Sequence, residues 1–546
     1  MPRASDVVFS TRFRRAEAAA VARAFGATRI EWGYSTDPAF VASLREVSPW
    51  IGCTLNANPK LPSDDGYARD FDGRVLAAPW MPGWGVSWVS TAHPDTQAAH
   101  AQELRRCAAV GARSVQFDDA QLQVFAARFQ GGDFNPAMVA GFPDWLARHP
   151  DREAVRAAGL DGFRGDYRAW LAERHGVKDT EDYRRRQTQW PSTPLWLAYT
   201  RAEVLAHHRR LRQLARQPDG QPMAWSMNLG HLSEPLAANA IAYLAAVADY
   251  NMGETPIKDW TLQVMQAATT RSLGLGFVPS LMPLSRSENR TAIAYLYALG
   301  GNVVVPWDVY DGNDEKGQPR RFFGQAADYG DLYRFVRQQA ARLDGLELAP
   351  AVAVVLPYER GQVAALRGLS QRLVGRQVPF AFVPVGGEAG YTVDAARLRG
   401  AQLIVTTNPD ADYPPATLQA LRDSGIERVT LADLRDDRLD ALRPFVLAPG
   451  AERVRVVPRA TPGDGRRLVL HVVDTTRGEL PGADAGCQRR IGLKAAQLGG
   501  RRVTHVTWAD LAGEGSAATE LTPAGLVSFS LPRCSLWTLV ELSLEH

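Results

Sequence analysis

Short apolar runs alternate with longer amphipathic stretches over the first 345 residues of the chain. The short runs are rich in β-branched and aromatic residues, and the longer ones repeat apolar residues at the spacing of a helix face. This alternation predicts a parallel sheet with helices outside it. The predicted strands are residues 7–13, 29–34, 50–56, 114–119, 223–228, 248–252, 277–281 and 302–309. Eight strand-helix units predict a (β/α)8 TIM barrel.

Two long insertions interrupt this repeat. Residues 59–93 carry Trp80, Trp84 and Trp88 among glycines and prolines, and residues 121–194 are rich in Arg and Trp and partly helical. Both insertions follow predicted strands, so both fall on the face where barrel enzymes place their active sites. The tryptophans are expected either to line a binding surface or to pack beneath a loop.

The pattern changes after residue 345. Short strands at 351–356, 380–383, 402–406 and 428–430 alternate with helices, which predicts a small doubly wound α/β domain. From about residue 453 the chain is strand-rich, at 467–473, 502–507, 525–531 and 535–542, which predicts a terminal β-sandwich. We therefore expect three domains, at residues 1–345, 346–450 and 451–546.

The charge balance argues against a nucleic acid or membrane partner. The chain has 62 Lys and Arg against 59 Asp and Glu, so no strong field attracts an anionic polymer or surface. No apolar run is long enough to cross a bilayer, and the first residues lack the apolar region of a signal peptide. We expect a soluble protein with a small neutral partner. The last residues, Leu544-Glu545-His546, resemble the remnant of a purification tag. A signal peptide could therefore have been removed in cloning, so the sequence leaves the cellular compartment open.

The four cysteines are far apart in the sequence. Cys53, Cys107, Cys487 and Cys534 form no CxxC pair, which argues against a zinc ribbon, a redox motif or a disulfide framework. They are predicted to be buried small apolar residues.

The fourth predicted strand gives the strongest signal for chemistry. In the run Ser-Val-Gln-Phe-Asp-Asp from residue 114, Val115 and Phe117 are expected to face the helices. Because side chains alternate along a strand, Gln116 and Asp118 then point into the barrel. Asp119 follows at the rim.

The other strand ends supply further carboxylates, amides and indoles. They carry Glu31, Trp32, Asn56, Asn58, Asn228, His231, Asn251, Glu254, Trp307 and Asp308. In glycosidic bond cleavage one carboxylic acid protonates the leaving oxygen while another carboxylate acts as nucleophile or base. We predict Asp118, Asp119, Glu254 and Asp308 as the catalytic candidates. Glu31, Gln116 and the amides, indoles and histidine are predicted to bind the sugar.

Structural roles are the alternative for each of these residues. A strand-end Asp can cap the following helix, and Glu31 can form a structural ion pair with Arg29. A catalytically silent sugar-binding protein on the same scaffold is the alternative from another functional class.

Metal and cofactor chemistry find little support. The first strand ends Ser10-Thr11-Arg12-Phe13 and lacks the His-x-His of a barrel amidohydrolase. The loop at 311–317 resembles a calcium loop, but its Gly comes one position late and the distal Glu is missing. The α/β domain has neither Cys nor His, and residues 386–390 do not match a dinucleotide loop. We expect no metal and no cofactor, and a structural or oligomeric role for that domain.

The domain order and several segments carry a family resemblance. A barrel followed by a catalytically empty amidotransferase-like domain and a terminal β domain resembles the family 42 β-galactosidases and uncharacterised relatives. Residues 132–136, Gly-Asp-Phe-Asn-Pro, followed by residues 140–146, resemble the stretch before the Phe-x-x-Trp/Tyr-Leu helix of that group. Residues 466–474 resemble the start of the C-terminal β domain of that group. The resemblance implies a homo-oligomer formed through the α/β domain, which is a trimerisation domain in that group.

The catalytic motifs depart from that family. Its members carry Asn-Glu at the end of strand four and a nucleophilic Glu at strand seven, whereas here strand four ends Asp118-Asp119 and residues 277–281 contain no carboxylate. An Asp on strand four with an acid on strand six instead resembles retaining α-galactosidases and related clans. We therefore expect an exo-acting, retaining glycoside hydrolase that acts on an oligosaccharide or glycoside. Asp118 or Asp119 is the expected nucleophile and Glu254 the acid, with Asp308 as the alternative acid or base.

Overall fold

The computed structural model describes most of the chain. The residues outside it are 81, 82, 84, 230–239, 358–362, 388, 389, 448–450, 463–465, 480–486, 495–497, 499, 500, 524 and 546. Among the described residues, no helix is both long enough and apolar enough to cross a membrane.

The first part of the chain forms a closed parallel barrel. Its strands are β1 Val8–Ser10, β2 Arg29–Glu31, β3 Gly52–Asn56, β4 Ser114–Asp118, β5 Ala224–Met227, β6 Tyr250–Asn251, β7 Glu254–Pro256, β8 Gly276–Phe277 and β9 Ser280–Met282. β1 to β6 and β8 pair in chain order, and β7 pairs with β9 where those strands continue toward the rim. Residues 302–305 close the ring, because Val304 N–H donates to Pro279 O (2.9 Å) and Val305 N–H donates to Val8 O (2.8 Å). The predicted TIM barrel is confirmed.

The helices of this part of the chain surround the barrel or lie in the insertion at residues 121–194. They are α1 Ala18–Phe25, α2 Pro38–Arg45, α3 Pro94–Ala109, α4 Gln123–Phe125, α5 Pro136–Arg148, α6 Arg152–Ala157, α7 Tyr167–His175, α8 Thr180–Arg186, α9 Ser192–Leu214, α10 Ala240–Leu244, α11 Trp260–Ser272, α12 Arg286–Ala298, α13 Ala326–Gln338 and α14 Ala340–Leu343. α12 begins with a capping box between Ser285 and Glu288, which satisfies backbone N–H groups at its first turn. Val115 and Phe117 pack in one buried cluster with Leu104 of α3, so the alternation predicted for strand four is present.

The predicted eighth strand, residues 302–309, is split. Pro306 has no N–H to donate, and Asp308 has a φ of 52°, so the chain leaves the barrel there. It continues as β10 Trp307–Asn313, which pairs antiparallel with β11 Pro319–Phe323. The segment compared with a calcium loop is the tip of this hairpin, where Asp314 N–H donates to Gln318 O (2.7 Å).

The two insertions differ in structure. Residues 121–194 are largely helical and pack around an aromatic core that they share with α9, in which Phe134 stacks on Trp196 at 5.4 Å between ring centroids. Residues 59–93 form a short irregular sheet with a small core around Trp88, which is only 1% exposed. Trp84 lies outside the described residues.

The rest of the chain forms an α/β unit and a β-sandwich, as predicted. The remaining strands are β12 Glu347–Leu348, β13 Val352–Pro357, β14 Phe380–Val385, β15 Leu403–Thr406, β16 Arg428–Thr430, β17 Phe445–Leu447, β18 Val454–Ala460, β19 Arg467–Asp474, β20 Arg489–Lys494, β21 Arg502–Asp510, β22 Gly513–Ser516, β23 Thr519–Leu521, β24 Leu526–Leu531 and β25 Trp537–Glu545. The helices are α15 Val363–Gly375, α16 Pro415–Asp423 and α17 Asp436–Leu442. A parallel sheet has the order β14-β13-β15-β16, and two antiparallel sheets have the orders β12-β18-β19-β25-β21-β22 and β17-β20-β24-β23. Because β12 and β17 pair with strands of the terminal sheets, the boundaries near 345 and 450 stay a prediction.

The cysteines form two disulfides, Cys53–Cys107 and Cys487–Cys534, so the prediction of unpaired apolar cysteines was wrong. The partners are 54 and 47 residues apart in the sequence, which hid the pairing. Cys53 lies on β3 and Cys107 on α3, which packs against that strand, and the Cα atoms are 5.7 Å apart. This separation suits a disulfide.

Candidate active site

The Asp118 carboxylate lies at the carboxyl end of β4 and accepts hydrogen bonds on both oxygens. The Tyr34 hydroxyl (2.5 Å) and the Trp32 indole N–H (3.3 Å) donate to Oδ2. The Asn228 amide (2.9 Å) and the Asp119 backbone N–H (3.2 Å) donate to Oδ1. Donors of this kind stabilise the ionised carboxylate and fix its direction. Burial, followed by the charge of Asp118, raises the pKa of Tyr34 well above its usual value, so this phenol stays a donor.

Strained backbone at the strand ends aims these side chains. Trp32, Asp119 and Asp308 have φ values of 52°, 50° and 52°, in the left-handed region. For residues other than glycine this conformation costs on the order of 1–3 kcal/mol, and such residues cluster at functional sites. The strain interrupts the two-residue alternation at Trp32, so the sequence pattern could not show where the residues after it point.

Glu254, the first residue of β7, shares the mouth with Asp118. Its Oε1 lies 3.7 Å from Nη1 of Arg12, and 30% of its side chain is exposed. Burial raises the pKa of Glu254; Arg12 lowers it and the charge of Asp118 raises it, and the net direction is upward. A carboxyl group that keeps its proton more firmly than usual is suited to general acid catalysis.

Asp119 is a third carboxyl group in the same mouth. Burial, followed by the charges of Asp118 and Glu254, raises the pKa of Asp119 to about 8. Hydrogen bonds from Gln121 and Trp80 act in the opposite direction. The Asp119 carboxyl therefore holds its proton more firmly than a free aspartic acid, and in its protonated form it can donate a hydrogen bond.

Asp308 has a different environment from the one expected of a catalytic residue. It is fully buried, and Arg321 Nε donates to its Oδ1 at 3.0 Å. The Phe13 N–H donates to Oδ2 (3.2 Å), and Arg15 lies 3.7 Å from Oδ1. These contacts connect the β10–β11 hairpin to the loop after β1. They favour a positioning role rather than the predicted contact with sugar.

Glu31 forms the structural ion pair that was the alternative for it. It is fully buried and accepts from Arg29 Nη2 (2.8 Å), Trp50 Nε1 (2.8 Å) and Ser114 Oγ (2.6 Å). Ser114 begins β4 whereas Asp118 ends it, so Glu31 lies toward the opposite end of the barrel from the mouth. This placement does not fit a sugar-binding role.

Trp307 packs in the core instead of lining the mouth. It is 3% exposed and stacks on Phe9 at 5.1 Å between ring centroids, in the layer between barrel and helices. The break at Pro306 ends the regular strand on which the prediction depended, so the indole is not available to a sugar. Asn251 is also buried, with its side chain bonded to the backbone of Leu229 at 3.1 and 3.3 Å.

The other predicted binding residues are more dispersed. Gln116 is fully buried, and neither of its amide atoms has a partner within the described part of the chain. Asn56 is exposed at the end of β3 and accepts from the Asn58 N–H (3.0 Å). His231 lies outside the described residues.

Arg12, Tyr34 and Trp80 contact the candidate carboxylates but were not among the predicted site residues. The Arg12 guanidinium lies 3.2 Å from the centroid of the Trp32 ring, between this indole and Glu254. Arg12 and Tyr34 belonged to predicted strands and Trp80 to an insertion, yet their residue types gave no signal separate from packing.

The comparisons with known proteins give a fold and no family. No family model matches the chain, and no curated protein matches it either. The solved structure of α-L-fucosidase isoenzyme 2 from Paenibacillus thiaminolyticus matches with a TM-score of 0.61 at 10% identity, over 99% of this chain and 100% of that chain. A family 27 β-L-arabinopyranosidase from Geobacillus stearothermophilus matches with a TM-score of 0.32 at 12% identity, over 93% of this chain and 77% of that chain. The first likeness shows that this chain shares the fold of that fucosidase over its whole length.

Proposed function

We propose that the protein is a glycoside hydrolase with Asp118 as nucleophile and Glu254 as general acid. The observation that carries the proposal is the contrast within one barrel mouth. Asp118 is bound by four hydrogen-bond donors, whereas burial raises the pKa of Glu254 beside it. A carboxylate held by donors next to a carboxyl group whose pKa is raised suits the nucleophile and acid of glycosidic bond cleavage. The similarity in fold to an enzyme named as an α-L-fucosidase supports the reaction class.

The proposed reaction has two steps and retains the anomeric configuration. In the first, an Asp118 oxygen attacks the anomeric carbon while Glu254 gives its proton to the leaving glycosidic oxygen. In the second, the Glu254 carboxylate takes a proton from water, which attacks the same carbon and releases Asp118. Atoms and charges balance, because Glu254 ends each cycle protonated and Asp118 ionised.

The surroundings of Glu254 suit this change of role. The Asp118 charge raises the pKa of Glu254 in the free enzyme. Once Asp118 is esterified to the sugar, that charge is gone and the pKa of Glu254 falls. Arg12, 3.7 Å away, then stabilises the carboxylate that serves as base.

Trp80 is proposed as the surface on which a sugar ring stacks. Its ring is 37% exposed, and it meets Trp88 and Phe125 edge-on at 5.2 and 4.9 Å between ring centroids. Its indole also lowers the pKa of the Asp119 carboxyl. The Asn313 side chain donates to Trp80 O (3.2 Å), so the hairpin and the first insertion together wall one side of the mouth. This wall is the basis for proposing exo-action.

The test of this function is turnover of a panel of nitrophenyl glycosides by the wild-type protein and by Asp118→Ala. We expect turnover of at least one glycoside, loss of it in the variant, and partial recovery with added azide, which replaces the missing nucleophile. A silent sugar-binding protein, the second candidate, would bind sugars without turnover.

The Trp80→Ala variant tests the proposed stacking surface. It is expected to raise KM roughly tenfold with a smaller change in kcat, because one aromatic contact to the sugar is lost.

Three further proposals concern the whole molecule. The family 42 resemblance in domain order supports a homo-oligomer formed through the α/β unit, and light scattering that found a monomer at micromolar concentration would contradict it.

Limited proteolysis that cuts the chain near residues 345 and 450 and leaves stable fragments would support the domain boundaries. The two disulfides support folding in an oxidising compartment.

A further inference from the structure

A cleft distant from the barrel mouth lies where the three parts of the chain meet. It has a volume of about 820 Å³. Its walls come from the end of α11, the segment at 347–350, the α/β loop at 394–400 and residues 460–462 of the terminal sheet. Its lining includes, among the described residues, the basic side chains Arg271, Arg397, Arg399 and Arg501 and the acidic side chains Glu347 and Asp394. The cleft is thus more basic than the chain as a whole.

Two arginines meet at this cleft, the half-buried Arg271 in its lining and the buried Arg459 behind it. Arg459 is 5% exposed; its Nη2 donates to Leu346 O, while Nε and Nη1 have no partner within the described part of the chain. Arg271 Nη1 donates to Leu348 O at 3.1 Å. A Cβ placed on Gly300 would lie 3.2 Å from Nη2 of Arg459 and 3.8 Å from Nη2 of Arg271, so the two guanidinium groups are neighbours.

The pKa values of both guanidinium groups are lowered. Burial, and then repulsion by Arg459, lowers the pKa of Arg271 to about 9. Burial lowers the pKa of Arg459 to about 10. Glu347, whose side chain is exposed to solvent, opposes the shift in each case. Asp344, whose carboxylate already accepts from Ser5, also opposes it for Arg459. Buried cations in proteins are normally paired with anions, and a bound anion would supply that pairing.

The loop from the α/β unit adds accessible cations. Arg397 is half-buried, lies 5.2 Å from the centroid of the Tyr391 ring and donates weakly to Pro384 O (3.4 Å). Arg399 is exposed. Asp394, the acidic residue of this wall, already accepts from the Arg397 backbone N–H at 2.8 Å. Its capacity to neutralise the guanidinium groups is therefore partly used.

We propose that this cleft binds a phosphate-bearing ligand through Arg271, Arg397 and Arg399. Guanidinium groups form paired, charge-assisted hydrogen bonds with tetrahedral oxyanions. The ligand would contact the barrel and the α/β unit at once and so stabilise their packing. The same chemistry admits free inorganic phosphate or a phosphorylated sugar, and the cleft has room for either.

Isothermal titration with inorganic phosphate, with glucose 6-phosphate and with glucose tests the proposal on the full chain. We expect both phosphates to bind and glucose not to. Tighter binding of glucose 6-phosphate than of phosphate would identify a phosphorylated sugar as the source, and equal binding would identify the free ion. The Arg397→Gln/Arg399→Gln double variant should weaken phosphate binding about tenfold or more, the scale of one lost charge-assisted hydrogen bond.

Two control variants locate the binding. Arg209→Gln, at an exposed position on α9, should bind phosphate like the wild type. Arg15→Gln, at the barrel mouth, should do the same. The proposal is overturned if neither phosphate binds, or if the folded double variant binds phosphate as tightly as the wild type does, whatever the effect of Arg15→Gln. If circular dichroism shows the double variant unfolded, the single Arg399→Gln variant decides by the same criterion.

Discussion

The carboxylates at the two sides of the barrel mouth differ in the groups that bind them. On the β4 side, Asp118 accepts from a phenol, an indole and an amide and is half-buried. On the β10 side, Asp308 is fully buried against the guanidinium groups of Arg321 and Arg15. Neutral donors leave the charge of a carboxylate available to a substrate, whereas arginines neutralise it. Asp118 and Asp308 therefore differ in the kind of group that binds them, although both lie where the chain leaves a barrel strand.

The largest effect is expected for the Asp118→Asn variant. Loss of the nucleophile should reduce kcat by at least about 10³-fold, as for nucleophiles of other covalent mechanisms. The melting temperature should change little, because the amide keeps the size of the side chain. Steady-state kinetics and calorimetry measure the two quantities, and near wild-type turnover would end the assignment.

Glu254→Gln should show a loss that depends on the leaving group. An acid that protonates the leaving oxygen contributes about 10²- to 10⁴-fold, but a nitrophenolate needs little protonation. We expect a large drop in kcat/KM for an unactivated disaccharide and a much smaller drop for the nitrophenyl glycoside. Equal losses on both substrates would contradict the role of Glu254 as acid.

Asp308→Asn tests the other side of the comparison. Removing one partner of a buried ion pair leaves Arg321 with an uncompensated charge and is expected to cost about 3 kcal/mol of unfolding free energy. The matched control is Asp161→Asn, which breaks the surface pair with Arg152 and should change that free energy by less than about 1 kcal/mol. Denaturant unfolding compares the two. If Asp308→Asn is as stable as the control but inactive, Asp308 belongs to the catalytic group after all.

The last prediction concerns the pH dependence of stability. The pKa of Asp119 is about 8 in the folded protein and near 3.8 in the unfolded chain, so between these values the folded state binds more protons. This carboxyl therefore lowers stability increasingly as the pH rises from about 4 to about 8. Asp119→Asn should reduce the fall in melting temperature between pH 5 and pH 9. An unchanged fall would show that Asp119 titrates normally.

The sequence was sufficient where the strands are regular. Val115 and Phe117 alternate with Gln116 and Asp118 over an unbroken β4, so the inward direction of Asp118 followed from the two-residue period alone. The boundary near residue 345, which the change of period predicts, stays a prediction.

The rest depended on tertiary contacts and on backbone strain. The break at Pro306 removed Trp307 from the mouth, and the positive φ of Trp32 precedes Tyr34, which reaches Asp118. Arg12 is recognisable only from its partners, because a lone arginine at a strand end has no pattern. The disulfides were missed for the same reason, since folding rather than spacing brings Cys53 beside Cys107.

The covalent intermediate is the most direct test of the central claim. The enzyme would be incubated with a fluorinated glycosyl fluoride of the sugar that the nitrophenyl panel identifies, digested, and mapped by mass spectrometry. The account predicts one glycosyl group attached to Asp118. A label on Asp119 or Asp308, or turnover with inverted product configuration and no label, would contradict it.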